Sequence, residues 1–319
     1  MTRSESTRIA IGLSAAIVGY QDQTPLILTV REAQNDAAMD MLPFGPFDPL
    51  KHRTIELGLR AFVLAQAGLE LGHVEQLYTF GDRGRHALPD DEGAHVVSVG
   101  YLALSRGAKL RDKGSMGAGF QPWYCYFPWE DWRMGRPDIL DEHILPALQD
   151  WAQSSDDAHR NRLKLAFALE EGLTWDDERV LDRYELLYEA GLIGEAIADG
   201  RPSFTPSMQP DPAIFGKAMR YDHRRILATA ISRLRSKLKY RPLIFELVGE
   251  EFTLTDLQKT FEALAGRHFH KQNFRRLVET NALVEPTGTT SDQTGGRPAQ
   301  LFRFRREVLL ERPAPGIRV

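Results

Sequence analysis

After a polar start, the chain alternates between two kinds of apolar pattern. Residues 8–18 and 25–31 are short runs rich in Ile, Leu and Val, and the polar break Gln21-Asp22-Gln23-Thr24 between them predicts a β-hairpin. Leu42 to Pro49 carries three prolines and a glycine and reads as a loop. Thr54 to Gln66 has helical spacing and is stopped by Gly68, placed as a C′ glycine. Residues 74–80 and 95–104 read as strands, joined by a polar loop that begins Gly81-Asp82-Arg83-Gly84-Arg85. Helical spacing returns at Leu140, Ile144, Leu148 and Trp151, and again at Val180, Tyr184, Leu187 and Tyr188 before Gly191. Thr174 with Asp177 forms a weakened capping box ahead of that second helix. Tyr221 to about Tyr240 predicts a long helix with Leu227, Ile231, Leu234 and Leu238 close to coiled-coil spacing. Its other face carries Arg224, Arg225, Arg233, Arg235, Lys237 and Lys239. Such a helix either links two modules and offers a dimer seam, or packs on its own domain.

The last third has a different rhythm. Thr255 with Gln258 reads as a capping box, so a helix starts near Asp256 and closes at Gly266. After Arg267-His268-Phe269-His270, a second helix runs from Lys271 to about Thr280. Residues 283–286 and 300–304 then read as strands around the loop Gly288 to Pro298. Two short helices across a glycine-containing turn, followed by a two-stranded wing, predict a winged helix-turn-helix. Phe274, Leu277 and Val278 supply an apolar face to the second helix. Lys271, Gln272 and Asn273 stand at its N-terminus, where side chains meet base edges, and both amides can pair bidentately with adenine. Arg275, Arg276 and the wing's Arg297 are placed for phosphates, Arg297 behind the glycine pair Gly295-Gly296 that permits close approach.

Charge supports this reading. Residues 217–319 hold 20 Lys and Arg against 11 Asp and Glu, whereas the rest of the chain holds 20 against 33, although the whole is only −4. A basic segment can also be no more than a solvated face, so the motif decides. Cys125 is the single cysteine, which excludes an intrachain disulfide framework and a multi-thiolate metal site. No apolar run approaches the roughly 20 residues needed to span a bilayer, and the start has no signal-peptide core; the expectation is a cytoplasmic protein without a membrane partner.

Phe120 to Trp132 is the aromatic peak of the chain. These rings could stack on an adenine, but filling a seam between elements is the more common use of such side chains. His143, His159 and Asp156-Asp157 lack metal-ligand spacing and read as surface residues.

The strand pair, the glycine loop, the helix ending in Gly68-Leu69, Leu77-Tyr78-Thr79-Phe80-Gly81-Asp82 and Ser98-Val99-Gly100-Tyr101-Leu102-Ala103-Leu104 together resemble a Nudix domain. With Asn273-Phe274-Arg275-Arg276 and Gly296-Arg297-Pro298-Ala299-Gln300-Leu301, the chain is similar to the Nudix-related transcriptional regulators of NAD metabolism, the NrtR and NadQ types. It departs from the smaller members by roughly ninety inserted residues before the long helix, beyond ordinary loop lengths. The resemblance implies an α+β chain: a Nudix-like α/β/α sandwich over 1–132, a helical insertion over 133–216, and a linker helix with the winged helix-turn-helix over 217–319.

A catalytic Nudix box ends in Arg-Glu-φ-x-Glu-Glu-x-Gly-φ, whose carboxylates hold divalent metal beside a pyrophosphate. Anchored on Gly68-Leu69, the box places Ala61, Phe62, Ala65 and Gln66 where Arg, Glu, Glu and Glu would stand. Glu56 and Glu70 lie outside it. The expectation is therefore a non-enzyme with no catalytic residue, metal or required cofactor, sensing an adenine nucleotide (NAD, ADP-ribose or ATP). Where a Nudix fold opens its cleft, the effector candidates are Arg31, Phe47, Arg60, Phe80, Asp82, Arg83 and Arg85. The expected partners are a double-stranded DNA operator and a second copy of the chain. The competing expectation is an active Nudix pyrophosphohydrolase with an accessory domain.

Overall fold

The computed structural model describes residues 9–31, 39–82, 95–106, 117–153, 155–201, 211–239, 242–291, 298–305 and 307. The polar break between the first two apolar runs is a tight turn. β1 (Ile9–Gln21) and β2 (Thr24–Thr29) pair as a hairpin with Gln21 opposite Thr24. Asp22 and Gln23 both take positive φ, 48° and 61°, the combination whose twist matches a two-residue hairpin. β1 also runs parallel to β5 (His95–Leu104), which pairs antiparallel with β4 (Val74–Phe80). β2 pairs with β6 (Gly119–Pro122), and β3 (Phe44–Pro46) lies on β1, so the main sheet order is β4-β5-β1-β2-β6.

Both faces of this sheet are covered. That is why β1 reads as an unbroken apolar run instead of an alternation. Leu13, Ala15 and Ile17 point to one side, where α1 (Ile55–Ala67) packs Leu59, Val63 and Ala67 against them. Thr54 caps α1, its hydroxyl accepting from the Leu57 N–H at 3.2 Å, and Gly68 closes it at φ 63°. Ala16 and Val18 face the other way, into a core shared with α6 (His223–Leu238). Residues 133–216 supply α2 (Leu145–Gln153), α3 (Asp157–Phe167), α4 (Val180–Glu189) and α5 (Gly194–Ala198) to that same core.

Three sequence expectations need correction here. The seam Leu227, Ile231, Leu234 and Leu238 is at most 2% exposed and is covered by the chain's own elements, so it is not a free dimer face. Nor is the opposite side of α6 a solvated basic face. Arg224 and Arg235 are fully buried, paired with Glu195 at 3.2 Å and Glu130 at 2.7 Å. Hydrophobic spacing alone could not reveal that buried carboxylates wait for those arginines. Finally, Thr174 and Asp177 do not form the box that starts α4, whose N-cap is Arg179 without a side-chain bond; Asp177 is buried beside Lys239 at 3.3 Å and Arg267 at 3.4 Å.

Among the described residues, no helix is long and apolar enough to cross a membrane.

Candidate nucleic-acid interface

Within the basic third, α7 (Leu254–Ala265) and α8 (Lys271–Thr280) follow α6. The box that starts α7 sits two residues earlier than the sequence suggests. Thr253 has the extended backbone an N-cap needs, its hydroxyl accepts from the Asp256 N–H at 3.1 Å, and Asp256 returns a bond to the Thr253 N–H at 3.1 Å. Gln258, the expected box partner, instead donates to Glu262 at 2.8 Å and to the Phe269 carbonyl at 2.9 Å. Gly266 ends α7 with φ 75°, a left-handed position that glycine adopts without strain.

Glu262 fixes the turn between the helices. Its carboxylate accepts from the Phe269 N–H at 2.9 Å and contacts the His268 ring at 2.8 Å. Burial would raise the Glu262 pKa, but the Phe269 and His268 hydrogen bonds outweigh it and hold the group low.

The second helix occupies the span its sequence predicts. Phe274 and Val278 are fully buried, Phe274 against Phe261 with ring centroids 5.6 Å apart. This apolar anchor turns Lys271, Gln272, Asn273 and Arg276 outward to solvent, with Arg275 half-buried at the edge. β7 (Val284–Ser291) and β8 (Ala299–Phe304) follow as an antiparallel pair, and an isolated bridge from Phe252 to Phe302 ties them to the helices. Arg297 lies outside the described residues, between these two strands.

The upstream half of the chain holds this module by its helix end. The last carbonyls of α7 lack intrahelical partners, and three donors from upstream satisfy them. Tyr124 donates its hydroxyl to the Ala263 carbonyl at 2.7 Å, Arg235 its Nε to Leu264 at 3.0 Å, and Trp132 its backbone N–H to Gly266 at 2.7 Å. Arg235 is itself locked by Glu130, which also takes Arg183 of α4 at 2.6 Å. Burial alone would raise the Glu130 pKa; the charges of Arg183 and then Arg235 overcome it and keep the carboxylate below its usual value. The aromatic peak is therefore packing: Trp123, Tyr126, Phe127 and Trp129 are all 0% exposed. Glu130 and Arg235 thus hold the end of α7 in place, a structural role whose only signal in the sequence is an acid set directly between Trp129 and Asp131.

The effector candidates are scattered. Phe47 and Arg60 stand on the α1 side, with Arg60 bonded to Glu56 at 2.9 Å and to the Gly72 carbonyl at 3.0 Å. Phe80 is 1% exposed under the Arg225 guanidinium, and Asp82 pairs with that same arginine. Arg31 sits on the buried Asp40 at 2.5 Å, alongside Lys217. Arg83 and Arg85 lie outside the described residues. Two interdomain clefts are lined by other side chains.

At the positions of a Nudix box, Ala61 and Ala65 are exposed on α1, and Gln66 is spent on β3, bonding both the N–H and carbonyl of Phe44 at 3.2 and 2.6 Å. Among the described residues the group with metal-ligand geometry is Asp176, Asp177 and Glu178, which faces Arg179, Lys239 and Arg267.

Residues 244–304 match the family of the NrtR DNA-binding winged helix domain. This segment is similar to an NrtR-type winged helix. The chain is also 40% identical over 84 residues to the ADPR responsive transcriptional repressor NtrR of Acinetobacter baylyi (strain ATCC 33305 / BD413 / ADP1). That alignment spans 26% of this chain and about a third (33%) of the relative's length. Over the full length, the fold resembles Shewanella oneidensis NrtR complexed with a 27mer DNA, with TM-score 0.57 and 18% identity, covering 97% of this chain and 98% of that one. A MutT/nudix family protein from Enterococcus faecalis shares it at TM-score 0.52 and 14% identity, over 96% and 90% of the two chains. The fold is thus a Nudix-like sandwich followed by an NrtR-type winged helix.

Proposed function

We propose that this protein is a DNA-binding transcriptional regulator, acting as a repressor of NAD biosynthesis genes, whose Nudix-like half senses an adenine nucleotide without hydrolysing it. The observation that carries the reading is α8: a helix anchored by Phe274 and Val278 that turns Lys271, Gln272, Asn273 and Arg276 outward, within a segment matching the NrtR winged helix family. Gln272 and Asn273 read base edges, Lys271 supports them, and Arg275, Arg276 and Arg297 hold phosphates. The relative named as ADPR responsive makes ADP-ribose the first effector to test, ahead of NAD and ATP. A homodimer places two recognition helices on two half-sites, and the effector acts by binding one arrangement of the helices better than another.

The hydrolase alternative needs carboxylates on α1, where Ala61 and Ala65 stand. The experiment is an electrophoretic shift on DNA upstream of NAD-biosynthesis genes, with and without ADP-ribose, NAD and ATP. A specific shift altered by one nucleotide is the expected outcome. The absence of any sequence-specific shift, or Mg²⁺-dependent release of AMP from ADP-ribose by the purified chain, would overturn the reading.

A further inference from the structure

The tip of the β1–β2 hairpin is built against local preference. Asp22 and Gln23 both hold positive φ, at the two positions that Asn-Gly fills most readily. A glutamine lacks a glycine's freedom there, and a turn of this kind persists where its surroundings hold it.

Arg133 holds this one. Its Nη1 donates to the Gln23 carbonyl at 2.6 Å, while its Nε and Nη2 donate to the two Asp131 oxygens at 2.8 and 2.7 Å. The same guanidinium lies 5.3 Å from the centre of the Tyr124 ring. Tyr124 in turn donates its hydroxyl to the Ala263 carbonyl at the end of α7. A second route runs through Tyr20, the last residue but one of β1, whose hydroxyl faces the Thr260 side chain of α7.

A cleft of about 410 Å³ lies beside these routes, with Asp22 from the tip and Glu251, Asp256 and Lys259 from the winged half in its walls. Three carboxylates against one cation resist its closing, so the tip keeps room to shift against α7. At their other end the two strands belong to the Nudix-like half. β1 pairs with β2, β3 and β5 and packs on α1 by one face and on the core shared with α6 by the other. A ligand that resets this sheet therefore moves the hairpin with it. Coupling between distant sites needs an element with two arrangements that both sites bias. A strand pair running from the middle of the sheet to α7, with space beside its tip, meets that need.

We infer that the hairpin tip is a strut that sets the angle of the winged helix, and that Tyr20 and Arg133 are positioning residues carrying the state of the Nudix-like half to α7 and α8. This deepens the nucleotide-sensing reading, on which it rests, by naming the route from the sheet to the DNA-binding helix.

The test is the factor by which a nucleotide changes DNA affinity. Fluorescence anisotropy of the full chain, on a labelled duplex from upstream of NAD-biosynthesis genes, gives Kd with and without ADP-ribose, NAD and ATP. Calorimetric titration gives the nucleotide affinity without DNA. Arg133→Met keeps an apolar stem beside Tyr124 and removes the donor to Gln23; Tyr20→Ala removes the second route; thermal melting checks each. Both variants are expected to keep the nucleotide affinity and the nucleotide-free Kd within about twofold, while the factor shrinks toward one by about fivefold or more. A folded variant with the wild-type factor removes its residue from the strut, and if both behave so the strut is overturned while the sensing reading stands. Variants that no longer bind DNA even without nucleotide would show a merely structural role and overturn it equally. If none of the three nucleotides changes the wild-type Kd, the sensing reading falls and the strut with it.

Discussion

Asn273 and Gln272 stand on the exposed first turn of α8, where each amide presents a donor and an acceptor together, the pair that matches the major-groove edge of adenine. Replacing Asn273 by Ala removes such a contact without touching the buried face made by Phe274 and Val278. The expected loss is about 1–3 kcal/mol of specific affinity, seen as weaker binding to the operator with an unchanged melting temperature. Glu130 acts from inside. Its pKa is held below the ordinary value of 4.5 in the folded chain, so the carboxylate stabilises the fold above that pH. This contribution is lost as the pH falls below about 4.5 and through the folded value. Glu130→Gln should remove most of that acid sensitivity. It should also cost about 3–5 kcal/mol, because Arg183 and Arg235 are left buried without a counter-charge; urea unfolding at pH 7 and pH 4 measures both effects.

At the scale of elements, the residues that position α8 belong to the end of α7. Gly266 takes φ 75°, and a Cβ there would run into the Glu130 carbonyl. Gly266→Ala should therefore destabilise the chain by more than about 1 kcal/mol and loosen the winged helix from the Nudix-like half, read as faster hydrogen exchange in α7 than in α1. The sequence made much of this legible. α8 spans the predicted residues, because its apolar positions and polar flanks agree with one helical face. The hairpin turn and the Thr54-to-Gly68 helix also follow local chemistry. What was not legible depends on distant partners. Arg235 looks like one more cation on a solvated face until Glu130 meets it from over a hundred positions away. The α7 cap slipped because Thr253-Asp256 and Thr255-Gln258 offer the same spacing, and only the backbone at Thr253 chooses between them. Phe80 and Arg60 looked like pocket residues for lack of their own partners, Arg225 and Glu56.

For the whole molecule, the acidic front and basic back acquire a physical sense. One continuous core joins the sheet, α2 to α5, α6 and the winged helix, so α2 to α5 are part of the support on which α8 stands. Arg183, contributed by α4, completes the charge cluster that orients the end of α7. Binding to DNA should fall steeply with salt, log Kd rising linearly with log salt concentration, as counterions released by Lys271, Arg275, Arg276 and Arg297 return to the phosphates. Charge-removing changes at Arg276 should lower that slope by about 1 and weaken all sequences equally. The most direct measurement of the central claim is fluorescence anisotropy of the full chain and its Asn273→Ala variant on labelled duplexes from upstream of NAD-biosynthesis genes, against scrambled duplexes of the same composition. The account predicts a preference for the natural sequence that the variant largely loses while its fold and its scrambled-DNA affinity persist; equal binding to both duplexes, or a variant as selective as wild type, would contradict it.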